Sequence, residues 1–156
     1  VRLREYAARD LERLHALDRE CFAPGIAYSK AELRGFLESP TTFTAVAVDD
    51  LNPADILGFA IVRNVRVADE AALHIITIDV DPAARRSGTG RRLMQWMEER
   101  ARTLGSRSMR LEVSETNEAA QRFYEDAGFK VTSRIPGYYA PSHDALVMER
   151  GLAKEY

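Results

Sequence analysis

A β-branched run, Ile75-Ile76-Thr77-Ile78, leads through Asp79-Val80 into a glycine-containing turn and then into an amphipathic helix. The helix is marked over Gly90–Leu104 by Leu93, Met94, Met97, Ala101 and Leu104 on one stripe, with Gly105 as its stop. Such a strand reads as buried and needs sheet neighbours on its edges. A striped helix needs a surface to cover. This unit therefore commits the chain to helices packed on a sheet.

The flanking sequence supplies the remaining pieces. Ala8–Phe22 carries Leu11, Leu14, Leu17 and Cys21 near one face and ends at Pro24-Gly25. Ser29-Lys30-Ala31-Glu32 has capping-box spacing ahead of Leu33, Phe36 and Leu37, which predicts a short helix to about Ser39. Strands are predicted over Thr42–Val48, Ile56–Val67, Ala72–Val80, Met109–Val113, Phe129–Ile135 and Ala145–Met148, and a helix over Asn117–Ala127 with Gly128 as its stop. The expected class is α+β, or mixed α/β, built around one sheet.

Composition bounds the function. At 156 residues the chain is expected to be a single domain spanning 1–156. Its 46% hydrophobic and 29% charged residues describe a globular core and exclude global disorder. Lys plus Arg is 22 and Asp plus Glu is 24, too balanced for a chain whose main partner is nucleic acid. No apolar run approaches the ~20 residues that cross a bilayer, and Val1-Arg2-Leu3-Arg4-Glu5 lacks the apolar region of a signal peptide. One cysteine, Cys21, excludes an intramolecular disulfide and a cysteine-type zinc site. A cytoplasmic protein is expected, with no metal and no direct nucleic-acid or membrane partner.

The turn Val80-Asp81-Pro82-Ala83-Ala84-Arg85-Arg86-Ser87-Gly88-Thr89-Gly90-Arg91 is the first candidate site. A helix N-terminus offers unpaired N–H groups and a positive dipole end, which suits phosphate. Gly88 and Gly90 remove Cβ atoms where an anion approaches the backbone, and Arg85, Arg86, Arg91 and Arg92 add positive charge. A nucleoside-triphosphate P-loop needs Gly-Lys-Ser/Thr, but Arg91 follows Gly90; a dinucleotide fingerprint needs a glycine where Leu93 stands. What remains is Arg-x-x-Gly-x-Gly. By itself this also fits a tight turn beside a solvated, arginine-rich helix face.

The second candidate is Leu111-Glu112-Val113-Ser114-Glu115-Thr116-Asn117, continuing through Ala120, Phe123-Tyr124 and Gly128-Phe129. By residue type, Glu112 fits an outward strand position and Tyr124 a core aromatic with its hydroxyl at the rim. In this order and separation, however, the two stretches resemble the GCN5-related N-acetyltransferases. Arg85-x-x-Gly88-x-Gly90 is similar to that family's pyrophosphate loop, and Asn117-x-x-Ala120-x-x-Phe123-Tyr124-x-x-x-Gly128-Phe129 to its second motif. The Leu-Glu-Val-Ser start, Gly137-Tyr138-Tyr139 and Asp144-Ala145-Leu146-Val147-Met148 resemble the RimI-type, ribosomal-protein-alanine and N-terminal acetyltransferase group.

The resemblance implies a mostly antiparallel central sheet flanked by about four helices, and acetyl-CoA as cosubstrate. It implies backbone pairing of Ile78, Asp79 and Val80 with the pantetheine arm. Arg85, Arg86, Ser87, Gly88, Thr89, Gly90 and Arg91 fall at the pyrophosphate, and Asn117 matches a cofactor contact. Tyr124 matches the acid that protonates the leaving sulfur, and Glu112 the carboxylate that takes the amine proton. Tyr28, Tyr138 and Tyr139 are expected to line the path of the acceptor, a protein N-terminal α-amine, that of a ribosomal protein included. A small amine or a lysine is the alternative acceptor, and an idle acyl-CoA-binding module the alternative role. His74 falls near the place where histone-type members keep a glutamate base and could be a second base, but a histidine beside a buried strand is more often a structural, hydrogen-bonded residue. The segment Phe22–Ser29 departs from RimI-type proteins in having no tryptophan. The protein is expected to be a monomer or homodimer.

Overall fold

The computed structural model describes residues 1–153. Its strands are β1 (Arg2–Arg4), β2 (Thr42–Val48), β3 (Ile56–Val67), β4 (Glu70–Val80), β5 (Ser108–Ser114), β6 (Lys130–Ala140) and β7 (His143–Gly151). Its helices are α1 (Leu11–Cys21), α2 (Lys30–Glu38), α3 (Thr89–Thr103) and α4 (Glu118–Asp126). The strands form one sheet in the order β1-β2-β3-β4-β5-β7-β6. Every neighbouring pair is antiparallel except β4 with β5. This is the sheet-and-helix class expected from the sequence.

Strand alternation sends successive side chains to opposite faces and so builds two cores. Val46 and Val48 of β2, with Phe59 and Ile61 of β3, meet Leu11, Leu14 and Leu17 of α1 and Leu33 and Leu37 of α2. Ala45 and Ala47, with Ala60 and Val62, face the other way onto Leu93, Met94, Met97 and Ala101 of α3. Tyr124 of α4 and Phe129 complete that second layer. The α2 start is the predicted capping box: Ser29 Oγ accepts from the Glu32 N–H at 3.1 Å, and Glu32 Oε1 from the Ser29 N–H at 3.0 Å.

Three differences from the predicted elements have local causes. The helix expected from Ala8 opens as a 3-10 turn, Ala8–Asp10, because Asp10 folds back. Its carboxylate accepts the Ala7 N–H at 2.9 Å and both Arg4 guanidinium nitrogens at 2.7 and 2.9 Å. β1 was not predicted; three residues with one apolar side chain carry no period, and pairing with β2 alone makes them a strand. The last two strands run longer than their apolar stretches because they pair as a hairpin.

The fold opens where β4 and β5 part. They pair only through Ala72↔Ser108, Leu73↔Met109 and His74↔Arg110. Beyond that, β5 stays with β7 and β4 stays with β3. In β4 the register slips: Ile61 pairs with Thr77 but Val62 with Ile75, leaving Ile76 as an extra residue. Such a bulge bends and twists its strand. Ile75 and Thr77 are buried, whereas Ile76 and Ile78 are half-exposed and line a cavity of about 1190 Å³ between the diverging strands. The β-branched run thus alternates buried and half-exposed residues, all four of them on the cavity wall.

Candidate active site

The turn after β4 is held in shape by its own polar groups. Asp81 Oδ1 caps the Pro82–Ala84 turn through the Ala83 N–H at 2.9 Å, and Oδ2 accepts from Arg13 of α1 at 2.7 Å. Gly88, at φ +88°, is the N-cap of α3, and the first bond back into the helix is Arg92 N–H to the Gly88 carbonyl at 2.9 Å. The amides of the first helical turn, Thr89 to Arg91, are thus outside the helical ladder. Arg85, Arg86 and Arg91 line the cavity at the same end as Gly88 and Gly90. Amides, dipole and guanidiniums suit a pyrophosphate.

Both glycines line the cavity, and each also meets a demand of the fold. Gly88 supplies a left-handed conformation, with nothing near the position of a Cβ. A Cβ on Gly90 would meet the Phe123 ring at 3.2 Å, so Gly90 lets α3 approach α4. Ser87 and Thr89, predicted at the cofactor, do not line the cavity; their hydroxyls bond each other at 2.7 Å, and Thr89 is buried.

The Asp79 side chain turns away from the cavity, which leaves only its backbone on the strand edge expected to meet the pantetheine arm. Ile78 and Val80 line the cavity, but Asp79 does not. Its side chain is 1% exposed, accepts from Thr77 Oγ1 at 2.5 Å and lies close to the carboxyl of Asp18 of α1, itself 0% exposed. Burial, then Asp18, pushes the Asp79 carboxyl well above the usual carboxylate range. Alternation along β4 explains this, since a residue between two cavity-facing neighbours points into the α1 layer. Sequence reading missed Asp18, although an acid among Leu14, Leu17 and Cys21 on the apolar stripe was a visible signal.

Glu112 enters the cavity from β5 and Tyr124 from α4. Glu112 Oε2 lies 2.7 Å from His74 Nε2. Burial pushes its carboxyl up, but the His74 hydrogen bond, the charge an imidazolium at His74 would carry, and the charges of Arg110 and Arg63 outweigh it and hold the group below its ordinary value. Tyr124 is 7% exposed, with Phe123 and Phe129 edge-to-face at 5.4 and 5.6 Å. Burial, then the Asp79 charge, pushes its phenol up. Asn117 lines the cavity as the N-cap of α4, its Oδ1 accepting the Ala120 N–H at 3.1 Å, which leaves its amide NH₂ as the group available to a ligand.

Tyr28, Tyr138 and Tyr139 reach the same cavity. Tyr28 donates to the carbonyl of the bulged Ile76 at 3.4 Å, and its own N–H bonds Asp18 Oδ2 at 2.8 Å. Tyr138 and Tyr139 pack edge-to-face at 4.8 Å. They lie where β6 and β7 lose register between Ile135↔Ala145 and Ala140↔His143, so this stretch leaves the ladder. Cys21 Sγ donates to the Val80 carbonyl at 3.3 Å, and burial first, then Asp79, pushes the thiol to about 11, which leaves it a poor nucleophile.

The acetyltransferase (GNAT) family pattern matches residues 11–129, from the start of α1 to just past α4. The chain belongs to the GNAT acetyltransferase family. The Schizosaccharomyces pombe N-terminal acetyltransferase B complex catalytic subunit naa20 is 26% identical over 124 residues, 77% of this chain and 69% of that one. The Salmonella typhimurium [ribosomal protein bS18]-alanine N-acetyltransferase is 39% identical over 85 residues, 53% of this chain and 56% of its own. The crystal structure of Chaetomium thermophilum Naa20 with a bisubstrate analogue superposes with a TM-score of 0.81 at 25% identity, covering 97% of this chain and 87% of that one. The GNAT chain is thus an N-acetyltransferase that uses acetyl-CoA, and its resemblance to RimI-type members holds. Among the described residues no helix is long and apolar enough to cross a membrane.

Proposed function

We propose that residues 1–156 act as one acetyltransferase domain that passes acetyl from acetyl-CoA directly to the α-amine of a protein N-terminus. The observation that carries this reading is that Glu112 and Tyr124 share one cavity between the diverging strands, with three tyrosines on its wall. The α3 amides, Arg85, Arg86 and Arg91 take the pyrophosphate. The free edge of β4 at Ile78 and Val80 takes the pantetheine arm, and Asn117 a further cofactor contact. The amine nitrogen attacks the thioester carbon, the C–N bond forms, and the C–S bond breaks with its electron pair on sulfur. Tyr124 gives that sulfur its proton, and the amine proton passes through water to Glu112.

Glu112 selects between acceptors. A carboxylate held below its ordinary value is a weak base. An α-amine, with a pKa near ~7.8, is on the order of a tenth neutral at pH 7, whereas lysine, near ~10.4, is neutral in only a few molecules per ten thousand. The weak base matches the α-amine. The names of the relatives, N-terminal acetyltransferase B catalytic subunit and ribosomal-protein alanine N-acetyltransferase, support a protein N-terminus, a ribosomal protein's included.

The test is turnover against pH for wild type and Glu112→Gln on two peptides, one with a free N-terminus and one blocked there with a single lysine. The free peptide is the better substrate, and the Glu112→Gln loss is roughly 10²-fold at low pH and shrinks as pH passes ~7.8. Preferred use of the blocked lysine peptide overturns the α-amine reading.

A further inference from the structure

His74 sits between two groups that together decide where its proton lies. Arg63 of β3 is its register partner across the β3–β4 ladder, and Arg63 Nε approaches His74 Nδ1 at 3.2 Å. On the other side, His74 Nε2 lies 2.7 Å from Glu112 Oε2. A guanidinium nitrogen is a donor only and an ionised carboxylate an acceptor only. Nδ1 must then present its lone pair to Arg63, and Nε2 must carry the hydrogen that reaches Glu112. An imidazolium would set N–H against N–H at Arg63. Arg63 is itself held in place: its guanidinium carbon lies 5.9 Å from the centre of the Phe36 ring, and Phe36 packs edge-to-face on Tyr28 at 5.2 Å. The contacts run from Tyr28 on the cavity wall through Phe36, Arg63 and His74 to Glu112.

We infer that Arg63 is a positioning residue for acetyl transfer: it fixes His74 as the neutral Nε2–H tautomer and, through that hydrogen, aims and holds Glu112. The inference rests on Glu112 being the proton acceptor, as proposed above. It gives His74 a definite place. With Nδ1 engaged by Arg63 and Nε2 already protonated, the imidazole is not a second base, and the carboxylate keeps that duty. The other groups gathered about the His74–Glu112 contact are Arg110 beside Glu112 on β5, Tyr28 from the α1–α2 connection, and Tyr138 and Tyr139 from β6. None of these is hydrogen-bonded to His74 Nδ1, which Arg63 holds.

Arg63→Met removes the donor to Nδ1 and frees that nitrogen to take a proton. An imidazolium then forms against Glu112 as pH falls, and it drains the carboxylate of basicity. The loss therefore belongs to acid pH and fades where the imidazole is neutral. Two measurements decide the matter. Proton–nitrogen NMR correlations, with the three histidines assigned by His74→Gln, show a bare Nδ1 and a protonated Nε2 for His74 in the wild type at pH 7. In Arg63→Met the Nδ1 signal of His74 no longer reports the wild-type bare nitrogen, and kcat/KM on the free-N-terminus peptide falls about tenfold near pH 6 while approaching wild type near pH 8.5. A merely structural loss lowers the rate alike at both ends. A protonated Nδ1 in the wild type overturns the inference, and so does an Arg63→Met enzyme whose His74 nitrogen signals and acid limb are unchanged. The wild-type spectrum decides the tautomer even when the variant fails to fold. Wild-type rates in Glu112→Gln at every pH overturn the base assignment instead, and the spectrum still judges the hold of Arg63 on His74.

Discussion

Tyr124 packs in the core, and the proposed transfer gives the same side chain its chemistry. Its ring fills the layer between Phe123 and Phe129, and its phenol lines the cavity. Burial raises the phenol above its ordinary value, so it stays protonated through the whole range in which an α-amine is deprotonated. Tyr124→Phe keeps the ring contacts and deletes only the proton. Acetyl-CoA affinity by calorimetry should survive while kcat falls roughly 10²–10⁴-fold. The wild-type rate should also show no fall from tyrosine ionisation as pH rises to ~10, the value of an unperturbed phenol. An unchanged kcat in Tyr124→Phe, with chemistry shown to be rate-limiting by single turnover, removes the acid role. Cys21, raised to about 11, has no comparable use, in agreement with a transfer that involves no acyl-enzyme.

Elements whose signal is local could be read from the chain: the apolar stripe of α3, the Ser29–Glu32 box and the alternation of β2 all stand in the structure. Features made by pairing could not. The bulge at Ile76, the three-residue contact of β4 with β5 and the lost register beside Tyr138-Tyr139 depend on partners far away in sequence. The site divides the same way. Glu112, Tyr124 and the glycine turn have motif spacing, whereas the Arg63–His74–Glu112 contacts cross three strands and leave no spacing to find. Gly90 was legible as a residue and not as a role. Beside its predicted service to an anion, the structure gives it a close fit of α3 against Phe123. Gly90→Val should therefore weaken acetyl-CoA binding by pushing α4 aside, and Gly90→Val with Phe123→Leu should recover part of the loss. Calorimetric titration of the two singles and the double gives the coupling, with about 1 kcal/mol or more expected for residues in contact. Strictly additive losses would return Gly90 to the anion site alone.

Across the whole molecule, the α1 layer is tied to the sheet by two buried carboxyls. Asp18 gives one oxygen to the Tyr28 N–H and Asp79 one to Thr77 Oγ1; the other oxygens, Asp18 Oδ1 and Asp79 Oδ2, are buried with no other partner. A single proton shared between the two carboxyls would satisfy both, in accord with the upward push that Asp18 gives Asp79. This joins the helix that carries Arg13 and Cys21 to the strand whose edge faces the cavity. The pH dependence follows from the direction of the shift. A carboxyl with a folded-state pKa above its unfolded value of ~3.9 binds more protons folded than unfolded between those two values. Its stabilising contribution is complete below ~3.9 and is lost as pH rises through the raised, folded-state value. Asp79→Asn keeps a hydrogen for Asp18 Oδ1 and removes the ionisation, so its advantage over wild type should grow from acid to alkaline pH. The expected gain in Tm at pH 8 is roughly 2–8 °C, equivalent to about 1–2 kcal/mol for a chain of this size. Asp79→Ala removes the partner and leaves Asp18 buried alone, so it should lose stability at the same pH. Thermal denaturation of the three proteins between pH 4 and pH 9 reads both effects, and an Asp79→Asn protein whose Tm difference from wild type does not change with pH would show that no proton is shared there.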